Sequence, residues 1–523
     1  MPMSTEKVDA VIVGSGASGS VLAAKLAQAG KKALVLEAGP ERAAGDLYSS
    51  QLWARRLKWS GPRIESEGLH PINVVFGHGW GTGGSALHHY ACWFRMHPED
   101  FQMRSNFGAG LDWPISYDTL RPFYDRIQKD VEVSGDAALE VWRPPGEPHP
   151  MPPLKTFAQA HIIARGFETL GLRTAPLPMA INSVDYRGRP PCAYEGWCDA
   201  GCPLMVLANP LAVYLTQARD AGVEVAHHAY VTRVLTNEKG DRATAVEFFD
   251  AQGKRHVQEA SLVVLASLAL QNPRILLNSA TPRQSSGLAN SSGAVGRYMM
   301  AHIAGNAFGL FSEPTENYRG VTGGQLVCQE NYAKDPRKGY LGSSQWLIAN
   351  ALKPNDLLGI GNARPELFGD ALHKFLATAS QHLATMTFVG ENQPKAENQM
   401  VPSRDKDSFG FPLAHITHQF SADDLKCFET GMQQGKEIMK AAGAYEAWSN
   451  GPVSMHDLGG TVMGSDAATS VVNSYGQSHD VNNLFVAGPG LFPTSGAVKP
   501  PFTIHAVTLR AADYIHEHWS SLT

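Results

Sequence analysis

The fold of this chain is set by the stretch Asp9–Gly39, DAVIVGSGASGSVLAAKLAQAGKKALVLEAG. Its pattern predicts a short buried strand, a glycine-rich turn, an amphipathic helix and a second buried strand that ends at Glu37. The turn glycines, Gly14, Gly16 and Gly19, fit a G-x-G-x-x-G dinucleotide fingerprint in its full strand–turn–helix context. A ligand-free glycine turn is the less favoured interpretation. The stretch therefore predicts an α/β fold that begins with a Rossmann-like domain.

Each part of this fingerprint has a binding role. The glycines allow a tight turn and a close approach of the pyrophosphate, and the helix N-terminus offers free N–H groups to the phosphates. The carboxylate of Glu37 is placed to bind the adenosine ribose hydroxyls, and an acid there disfavours NADP. Ser15 in the turn and Ala38 after Glu37 complete this part of the expected cofactor site. NAD and FAD share the element, so it does not separate them.

The composition is that of a globular enzyme. The chain has 523 residues, 43% hydrophobic and 18% charged, with a formal net charge of -5. No basic stripe dominates any region, so nucleic acid is not an expected partner. The N-terminus, MPMSTEKVDA, shows no secretory or twin-arginine signal. The longest apolar run, Leu262–Leu270, is too short to span a bilayer and is expected to be a buried strand. We expect a soluble protein without a membrane span, cytoplasmic by its own sequence.

A second glycine cluster lies at Gly77–Phe101, GHGWGTGGSALHHYACWFRMHPEDF. Composition alone is typical of a flexible loop, but the cluster leads directly into an aromatic, His-containing segment. Here the chain resembles the glucose–methanol–choline (GMC) family of FAD oxidoreductases, in which the matching G-x-G-G-S segment wraps the flavin. The resemblance implies FAD as the cofactor. It also implies flavin contacts by the four matching residues, Gly81, Gly83, Gly84 and Ser85.

His88 follows this double glycine. In some GMC relatives a His at this point carries FAD covalently. The alternative is an unmodified His that packs near the ring and is satisfied by hydrogen bonds. The sequence leaves both open.

The resemblance covers nearly the whole chain and weakens over residues 303–450. It implies a Rossmann-like FAD-binding domain with a discontinuous α+β substrate-binding domain. One departure is Ser267-Leu268, where the family commonly has Ala-Gly. The expected segments are 1–135, FAD-binding domain, first part; 136–215, connecting segment with a Cys-rich loop; 216–302, FAD-binding domain, second part; 303–450, substrate-binding domain; and 451–523, FAD-binding domain, C-terminal part with the catalytic residues.

The family pattern H-x-x-G-G-T-x-M-G is met at His456–Gly464. Alcohol oxidation by a flavin requires removal of the hydroxyl proton as hydride leaves the same carbon. A neutral imidazole can take that proton near neutral pH. His456 is therefore the predicted general base, and a buried His that only fastens the loop is the alternative. Gly488, in the turn after the last predicted strand, is an expected flavin contact.

The second member of the family's catalytic pair is usually Asn or His, just before a Pro. The aligned residue here is Lys499, followed by Pro500, which is a further expected cofactor contact. An ammonium beside the substrate oxygen would stabilise a developing alkoxide. If desolvated, Lys499 would lose its proton and share the role of base. The alternative is that Lys499 turns away into a salt bridge.

Three of the six cysteines lie in one loop, CAYEGWCDAGCP, at Cys192, Cys198 and Cys202. Zinc is disfavoured because no fourth ligand or second pair lies nearby, and a disulfide would leave one thiol unpaired. Thiolates at short spacings with a trailing Cys-Pro are typical of iron–sulfur sites. The isolated cysteines, Cys92, Cys328 and Cys427, are expected to be small buried side chains.

The same loop resembles the catalytic subunits of bacterial FAD-dependent glucose and fructose dehydrogenases, a branch of the GMC family. That resemblance implies a [3Fe-4S] cluster on Cys192, Cys198 and Cys202, and reduced structural thiols are the alternative. It also implies a small chaperone-like subunit whose signal carries the enzyme to the periplasm, and a cytochrome-type electron acceptor.

Together these features predict a FAD-dependent dehydrogenase that oxidises a hydroxyl group of a sugar, polyol or related alcohol. Electrons would leave through the cluster. A GMC oxidase that uses dioxygen, acting on an aromatic or other alcohol, is the first rival. A non-redox flavoprotein lyase is the second, with Lys499 as an acid–base residue.

Overall fold

The protein is described by a computed structural model that covers residues 6–523. At residues 75 and 76 only the backbone is described. Its strands are β1 (Val8–Val13), β2 (Ala33–Leu36), β3 (Ile64–Glu67), β4 (Ala175–Pro176), β5 (Glu224–Ala226), β6 (Tyr230–Thr236), β7 (Ala243–Phe249), β8 (Arg255–Leu265), β9 (Met300–Leu310), β10 (Leu326–Cys328), β11 (Ser344–Ile348), β12 (Leu383–Gly390), β13 (Gln399–Lys406), β14 (Pro412–Thr417), β15 (Glu446–Ser449), β16 (Val453–Leu458) and β17 (Leu484–Val486).

The helices connect and cover these strands. They are α1 (Ala17–Gln28), α2 (Gln51–Arg56), α3 (Val74–Gly77), α4 (Met103–Phe107), α5 (Tyr117–Asp130), α6 (Ala158–Thr169), α7 (Tyr214–Asp220), α8 (Asn272–Asn278), α9 (Pro354–Asn362), α10 (Asp370–His382), α11 (Ala422–Ala441), α12 (Pro501–Glu517) and α13 (Trp519–Leu522).

The first sheet has the order β5-β2-β1-β8-β7-β6, and β17 also pairs with β8. Strands β5, β2, β1, β8 and β17 run parallel, whereas β6 and β7 form an antiparallel extension. Strand β1 is apolar and buried on both faces because α1 and other elements cover the sheet, as is usual for a parallel sheet. This confirms the Rossmann-like element predicted from the first glycine stretch.

The apolar run Leu262–Leu270 is only partly a strand. Strand β8 ends at Leu265, and Ala266–Gln271 turns away from the sheet before α8 begins. The amide of Ser267 donates to Oδ1 of Asn272 at 3.0 Å, so a side chain replaces the strand partner at this turn. The prediction of one strand over the whole run is therefore wrong for its second half. A run of apolar residues indicates a buried segment, but it does not distinguish a strand from a turn.

The second sheet is antiparallel, with the order β15-β9-β12-β11-β10-β4, and β16 also pairs with β9. Helix α11 packs closely on this sheet because two of its contact residues are glycines. A Cβ on Gly431 would lie 2.2 Å from the Phe388 ring, and one on Gly435 would lie 2.6 Å from the Trp346 ring. A third, small sheet has the order β13-β14-β3. The result is the mixed α/β fold expected from the sequence.

The end of the chain returns to the first sheet. Strand β17 lies parallel to β8, and α12 packs beside α1, where Oγ1 of Thr508 donates to Oγ of Ser18 at 2.9 Å. Strand β16 meanwhile belongs to the second sheet through β9. The segment after residue 450 therefore joins the two sheets, and the candidate site lies where they meet.

Candidate active site

The carboxyl ends of the parallel strands meet at one edge of the first sheet. Val13, Leu36 and Leu265 are paired neighbours at this edge, and Val486 pairs with Leu265. The residues that follow these strand ends, including Gly14, Glu37 and Gly488, therefore lie close together. This is the edge at which open α/β sheets bind their ligands.

Two of the fingerprint glycines are required by close backbone contacts. Gly14 has φ of +102°, and a Cβ there would lie 2.9 Å from the carbonyl oxygen of Ala266. A Cβ on Gly19 would lie 1.9 Å from the carbonyl oxygen of Gly14, which no side chain tolerates. Helix α1 thus starts directly against the strand end. Its N-cap, Gly16, has no capping side chain, so the first N–H groups of α1 remain available to a ligand.

The carboxylate of Glu37 is buried and fixed by the turn. One oxygen accepts hydrogen bonds from the Ser15 amide at 3.0 Å and the Ser15 hydroxyl at 2.7 Å, and the other accepts from the Gly39 amide at 2.9 Å. Ser15 Oγ in turn accepts from the amide of Gly83 at 3.0 Å. One hydroxyl therefore ties the first glycine motif to the second.

The second glycine cluster folds over the first. Gly81 has φ of +102°, and a Cβ there would lie 2.6 Å from the carbonyl oxygen of Pro40. Gly83 has φ of +83° and precedes a short 3-10 turn at Gly84–Leu87. The Ser85 hydroxyl accepts from the Gly79 amide at 3.0 Å. These contacts give the cluster a defined conformation in place of the flexible loop that its composition alone suggests.

His88 is buried beside a lysine. Nζ of Lys58 lies 3.1 Å from Nδ1 of His88, while Nε2 of His88 is buried without a hydrogen-bond partner among the described residues. Burial lowers the pKa of Lys58 to about 8 and, with the Lys58 charge, lowers the pKa of His88 well below its ordinary value. His88 is therefore neutral. With Lys58 donating to Nδ1, the ring proton lies on Nε2, which leaves one orphaned donor.

His456 lies at a β-bulge. Met455 pairs with His302 and Asp457 pairs with Ala301, so His456 is the extra residue of β16 opposite β9. Its φ of +58° is rare for a side chain other than glycine. Nδ1 of His456 lies 3.1 Å from Nδ1 of His302. Burial, then the charge of Lys499, lowers the pKa of His456 well below its usual value.

The bulge is anchored from the second glycine cluster. Asp457 forms a buried ion pair with His78, and the other ring nitrogen of His78 contacts the carbonyl oxygen of Val74. Although burial opposes protonation, Asp457 raises the pKa of His78 above its ordinary value. A protonated His78 thus holds the residue next to His456.

Lys499 is buried, and no carboxylate pairs with it among residues 6–523. Its Nζ lies 5.1 Å from the centre of the Tyr90 ring. Burial lowers the pKa of Lys499, and only Cys92 partly opposes this shift. The salt bridge considered as an alternative for Lys499 is therefore not formed by the described residues.

One cavity joins these features. The predicted residues that line it are Gly14, Ser15, Gly16, Glu37, Ala38, Gly84, Ser85, His88, His456, Gly488, Lys499 and Pro500. Gly19, Gly81 and Gly83 lie behind this lining, where they permit the backbone contacts described above. The cysteine loop does not line the cavity.

Sequence reasoning missed several residues that the fold places at the cavity. Lys58, His78 and Tyr90 line it, and His302 contacts His456 from β9. The contact with His302 depends on the register of β9 against β16, which no local pattern reports. His78 and Tyr90 lie within the second glycine cluster, so their place in the chain was the available signal.

The cysteine loop is held in place by a buried lysine. Nζ of Lys353 donates to the carbonyl oxygen of Gly196 at 3.0 Å, lies 3.5 Å from the carboxylate of Asp199 and is 5.2 Å from the Trp197 ring centre. The Gly196 carbonyl also accepts from the Thr322 hydroxyl at 2.8 Å. The loop thus packs against the segments that carry Thr322 and Lys353.

The thiols of this loop are not arranged as a metal site. Cys192 Sγ accepts from the Tyr194 amide at 3.3 Å, and Cys198 is hydrogen-bonded with Thr322. Burial raises the pKa of Cys192 to about 11 and that of Cys198 to about 12. In the part of the chain that the structure describes, no three His, Cys, Asp or Glu side chains form a group that could hold a metal ion. The arrangement therefore does not support the expected [3Fe-4S] cluster on Cys192, Cys198 and Cys202. Cys92, Cys328 and Cys427 are buried, which confirms that prediction.

The cavity fits FAD. The turn at Gly14–Gly16 and the uncapped start of α1 would hold the pyrophosphate, and Glu37 would hold the ribose. Gly84 and Ser85 would lie against the flavin, and His88, which lines the same cavity, has a buried Nε2 without a hydrogen-bond partner among the described residues. The chain thus offers a backbone cradle and a buried, unpartnered polar atom where the cofactor belongs.

Within residues 6–523, every helix is too short or too polar to cross a lipid bilayer.

Comparison with known proteins agrees with this site. Two family models described as GMC oxidoreductase match the chain, one over residues 8–304 and the other over residues 394–508. The fructose dehydrogenase large subunit of Gluconobacter japonicus is 29% identical, over 98% of this chain and 99% of its own. The 2-methyl-1,2-propanediol dehydrogenase of Mycolicibacterium austroafricanum is 30% identical, over 100% of this chain and 97% of its own.

Solved structures show the same fold. Pyridoxine 4-oxidase from Mesorbium loti superposes with a TM-score of 0.68 at 18% identity, over 98% of this chain and all of that one. A variant formate oxidase of Aspergillus oryzae gives a TM-score of 0.69 at 15% identity, over the full length of both chains. At such identities the likeness concerns the fold alone. The family models, which together match well over half of the sequence, identify the chain as a member of the GMC oxidoreductases, a family of FAD enzymes.

Proposed function

We propose that this protein is a FAD-dependent dehydrogenase that oxidises a hydroxyl group of a sugar, polyol or related alcohol. The observation that carries the proposal is the meeting of His456 and Lys499 in one cavity with the glycine motifs of the cofactor site. The names of similar proteins support the substrate class: a fructose dehydrogenase subunit, a 2-methyl-1,2-propanediol dehydrogenase and a gluconate 2-dehydrogenase flavoprotein.

In this proposal His456 takes the proton of the substrate hydroxyl. It is neutral because burial and the neighbouring Lys499 lower its pKa, so a lone pair is available at neutral pH. The bulge at His456 sets the ring at the junction of the two sheets. FAD, when bound, would supply the hydride acceptor.

Lys499 stabilises the oxygen that loses this proton. Its ammonium has no carboxylate partner among the described residues, so its charge is not neutralised before substrate binds. A buried cation beside a developing alkoxide acts more strongly than the same cation in water. In this proposal His456 removes the proton of the hydroxyl, and Lys499 stabilises the negative charge that develops on the oxygen.

The proposal includes no electron-transfer step through an iron–sulfur cluster, because the thiols of the Cys192–Cys202 loop do not form a ligand set. The dehydrogenase assignment therefore rests on the site and on the similar proteins. A cytochrome-type acceptor and a small export subunit stay predictions that only reconstitution of the enzyme can test.

The test is anaerobic reduction of the FAD-loaded enzyme by fructose, gluconate and 2-methyl-1,2-propanediol, followed by flavin absorbance. We expect at least one hydroxyl compound of this kind to bleach the flavin, and His456→Gln to slow bleaching about 10²–10⁴-fold while the FAD content is unchanged. Bleaching at the wild-type rate by His456→Gln would refute the role of His456. Turnover of substrate without bleaching would indicate the lyase instead.

Aerobic turnover separates the dehydrogenase from the oxidase. A dehydrogenase requires an added artificial acceptor for rapid turnover and forms little hydrogen peroxide. Peroxide produced in proportion to substrate oxidised, without an added acceptor, would replace the dehydrogenase with an oxidase and leave the hydride-transfer site as proposed.

A further inference from the structure

We propose that His302 is a positioning residue that fixes the tautomer of His456, so that the proton of the neutral His456 ring lies on Nδ1 and Nε2 is the basic atom. This inference rests on the proposed function, in which His456 is the base. It assigns a task to a fully buried histidine of β9.

The first step concerns the far side of the His302 ring. Its Nε2 lies 3.0 Å from the carbonyl oxygen of Gly496 and 3.2 Å from that of Ser495. Carbonyl oxygens only accept hydrogen bonds, so Nε2 of His302 must carry a proton. A lone pair there would face two carbonyl oxygens in a buried site.

The second step concerns the contact between the two rings. In a neutral His302 with its proton on Nε2, Nδ1 carries a lone pair. That lone pair faces Nδ1 of His456 at 3.1 Å. One hydrogen bond satisfies both atoms only if Nδ1 of His456 is the donor. The opposite tautomer of His456 would place two lone pairs against each other in a buried contact.

A protonated His302 would reverse the direction of this hydrogen bond, and the surroundings oppose it. Full burial, with a smaller contribution from the charge of Lys499, lowers the pKa of His302 to about 4 despite the two carbonyl contacts. No carboxylate contacts His302 among residues 6–523 to compensate a positive charge; the nearby acid, Asp457, is paired with His78. The neutral arrangement is therefore the stable one.

The remaining nitrogen of His456 is then the base. No described residue hydrogen-bonds to its Nε2, and the side chain lines the cavity that also contains Lys499. As the substrate proton arrives on Nε2, Nδ1–H of the ring continues to donate to His302. The partner thus orients the ring and stabilises the cation that forms, as a second residue does behind many catalytic histidines.

Nitrogen-15 spectra of histidine-labelled, FAD-loaded enzyme test the tautomer directly, without turnover. Protonated and unprotonated ring nitrogens have widely different shifts, and the His456 signals are identified by their loss in His456→Gln. We expect a protonated Nδ1 and an unprotonated Nε2 in the resting enzyme at neutral pH. A protonated Nε2 on His456, or a His302 with both nitrogens protonated, would overturn the proposal.

Two near-isosteric variants separate positioning from simple packing. In His302→Asn the side-chain oxygen can reach the place of Nδ1 and accept from His456, but the contact with the carbonyls is lost. In His302→Gln the amide nitrogen can reach the place of Nε2 and donate to the carbonyls of Ser495 and Gly496, but the acceptor for His456 is lost. We expect His302→Gln to lower kcat about ten- to a hundredfold and His302→Asn to recover most of that loss.

A structural role would give a different result. Equal losses in both variants, in parallel with lower FAD content or melting temperature, would refute positioning. We also expect the acid limb of the kcat/KM profile to move to lower pH in His302→Gln, because the His456 cation loses its acceptor while Lys499 and the His78–Asp457 pair are unchanged. If the spectra agree but His456→Gln oxidises substrate normally, the proposed function fails and the tautomer assignment stands.

Discussion

The ammonium of Lys499 lies over the ring of Tyr90, 5.1 Å from its centre, and the ring is the group that partners the charge in place of a carboxylate. Desolvation raises the pKa of the Tyr90 hydroxyl, so the phenol stays neutral. A ring face attracts a cation without neutralising it. The Tyr90 ring therefore leaves the charge of the Lys499 ammonium in place at pH values below its lowered pKa.

The first prediction concerns the basic limb of the activity. Because burial lowers the pKa of Lys499 from the ordinary value of 10.5, the ammonium is present below this lowered pKa and is lost as the pH rises through it. We therefore expect kcat to fall at a pH below 10.5. The measurement is kcat against pH with a saturating alcohol substrate.

Two substitutions control this assignment. Lys499→Met keeps the length of the side chain but removes the charge, and we expect kcat to fall about 10²–10³-fold with FAD retained. Lys499→Arg keeps the charge at high pH, so the basic limb should disappear or move upward even if kcat is reduced. An unchanged basic limb in Lys499→Arg would show that another group titrates.

The second prediction concerns the link between protein and flavin. With Lys58 donating to Nδ1, His88 presents Nε2–H as a hydrogen-bond donor, not as a free nucleophile. We expect acid precipitation to release the flavin into the supernatant. Replacement of His88 by Ala should weaken FAD binding about fivefold, the effect of one hydrogen bond of about 1 kcal/mol. Flavin that stays with the precipitate would establish the covalent alternative.

The third prediction concerns the contact between α1 and β1. Since a Cβ on Gly19 would lie 1.9 Å from the Gly14 carbonyl oxygen, Gly19→Ala must displace the helix start. We expect a loss of at least about 1–3 kcal/mol in the free energy of unfolding and a loss of FAD. The matched control is Gly45→Ala, where an added Cβ meets nothing within 4 Å. A Gly19→Ala protein as stable and as FAD-rich as the control would contradict the packing described.

The fourth prediction concerns the cysteine loop. The thiols of Cys192 and Cys198 are protonated and bonded to their own surroundings, so we expect little iron and acid-labile sulfide per FAD in anaerobically purified enzyme. Their raised pKa values also predict slow alkylation at pH 8, since the thiolate is the reactive form. About three irons per FAD would show that the loop rearranges around a cluster, and Cys198→Ser should then abolish it.

Local patterns in the sequence were sufficient for the first part of the site. The turn at Gly14–Gly19 and the acid at Glu37 lie on consecutive elements, so their spacing alone predicts where they meet. His456 and Lys499 could be placed only through the family resemblance, because they lie on different elements. That both line one cavity is a structural observation.

The remainder depends on contacts between distant parts of the chain. His302 reaches His456 through strand register and a bulge, and neither leaves a mark in a single sequence. In the cysteine loop, the sequence showed three thiols at short spacing but not their surroundings, which include the Tyr194 amide at Cys192 and Thr322 at Cys198. At Leu262–Leu270, the apolar character of the run predicted a strand, but the second half of the run is a turn.

The place of β17 in the first sheet has a consequence for biosynthesis. This strand pairs with β8, although the paired residues Leu265 and Val486 are far apart along the chain. A ribosome that has made the whole first half of the protein has therefore not made the full nucleotide-binding sheet, and neither His456 nor Lys499 yet exists. The complete cofactor site therefore forms only after the C-terminal segment has been synthesised, so FAD can bind in its functional position only to the finished chain.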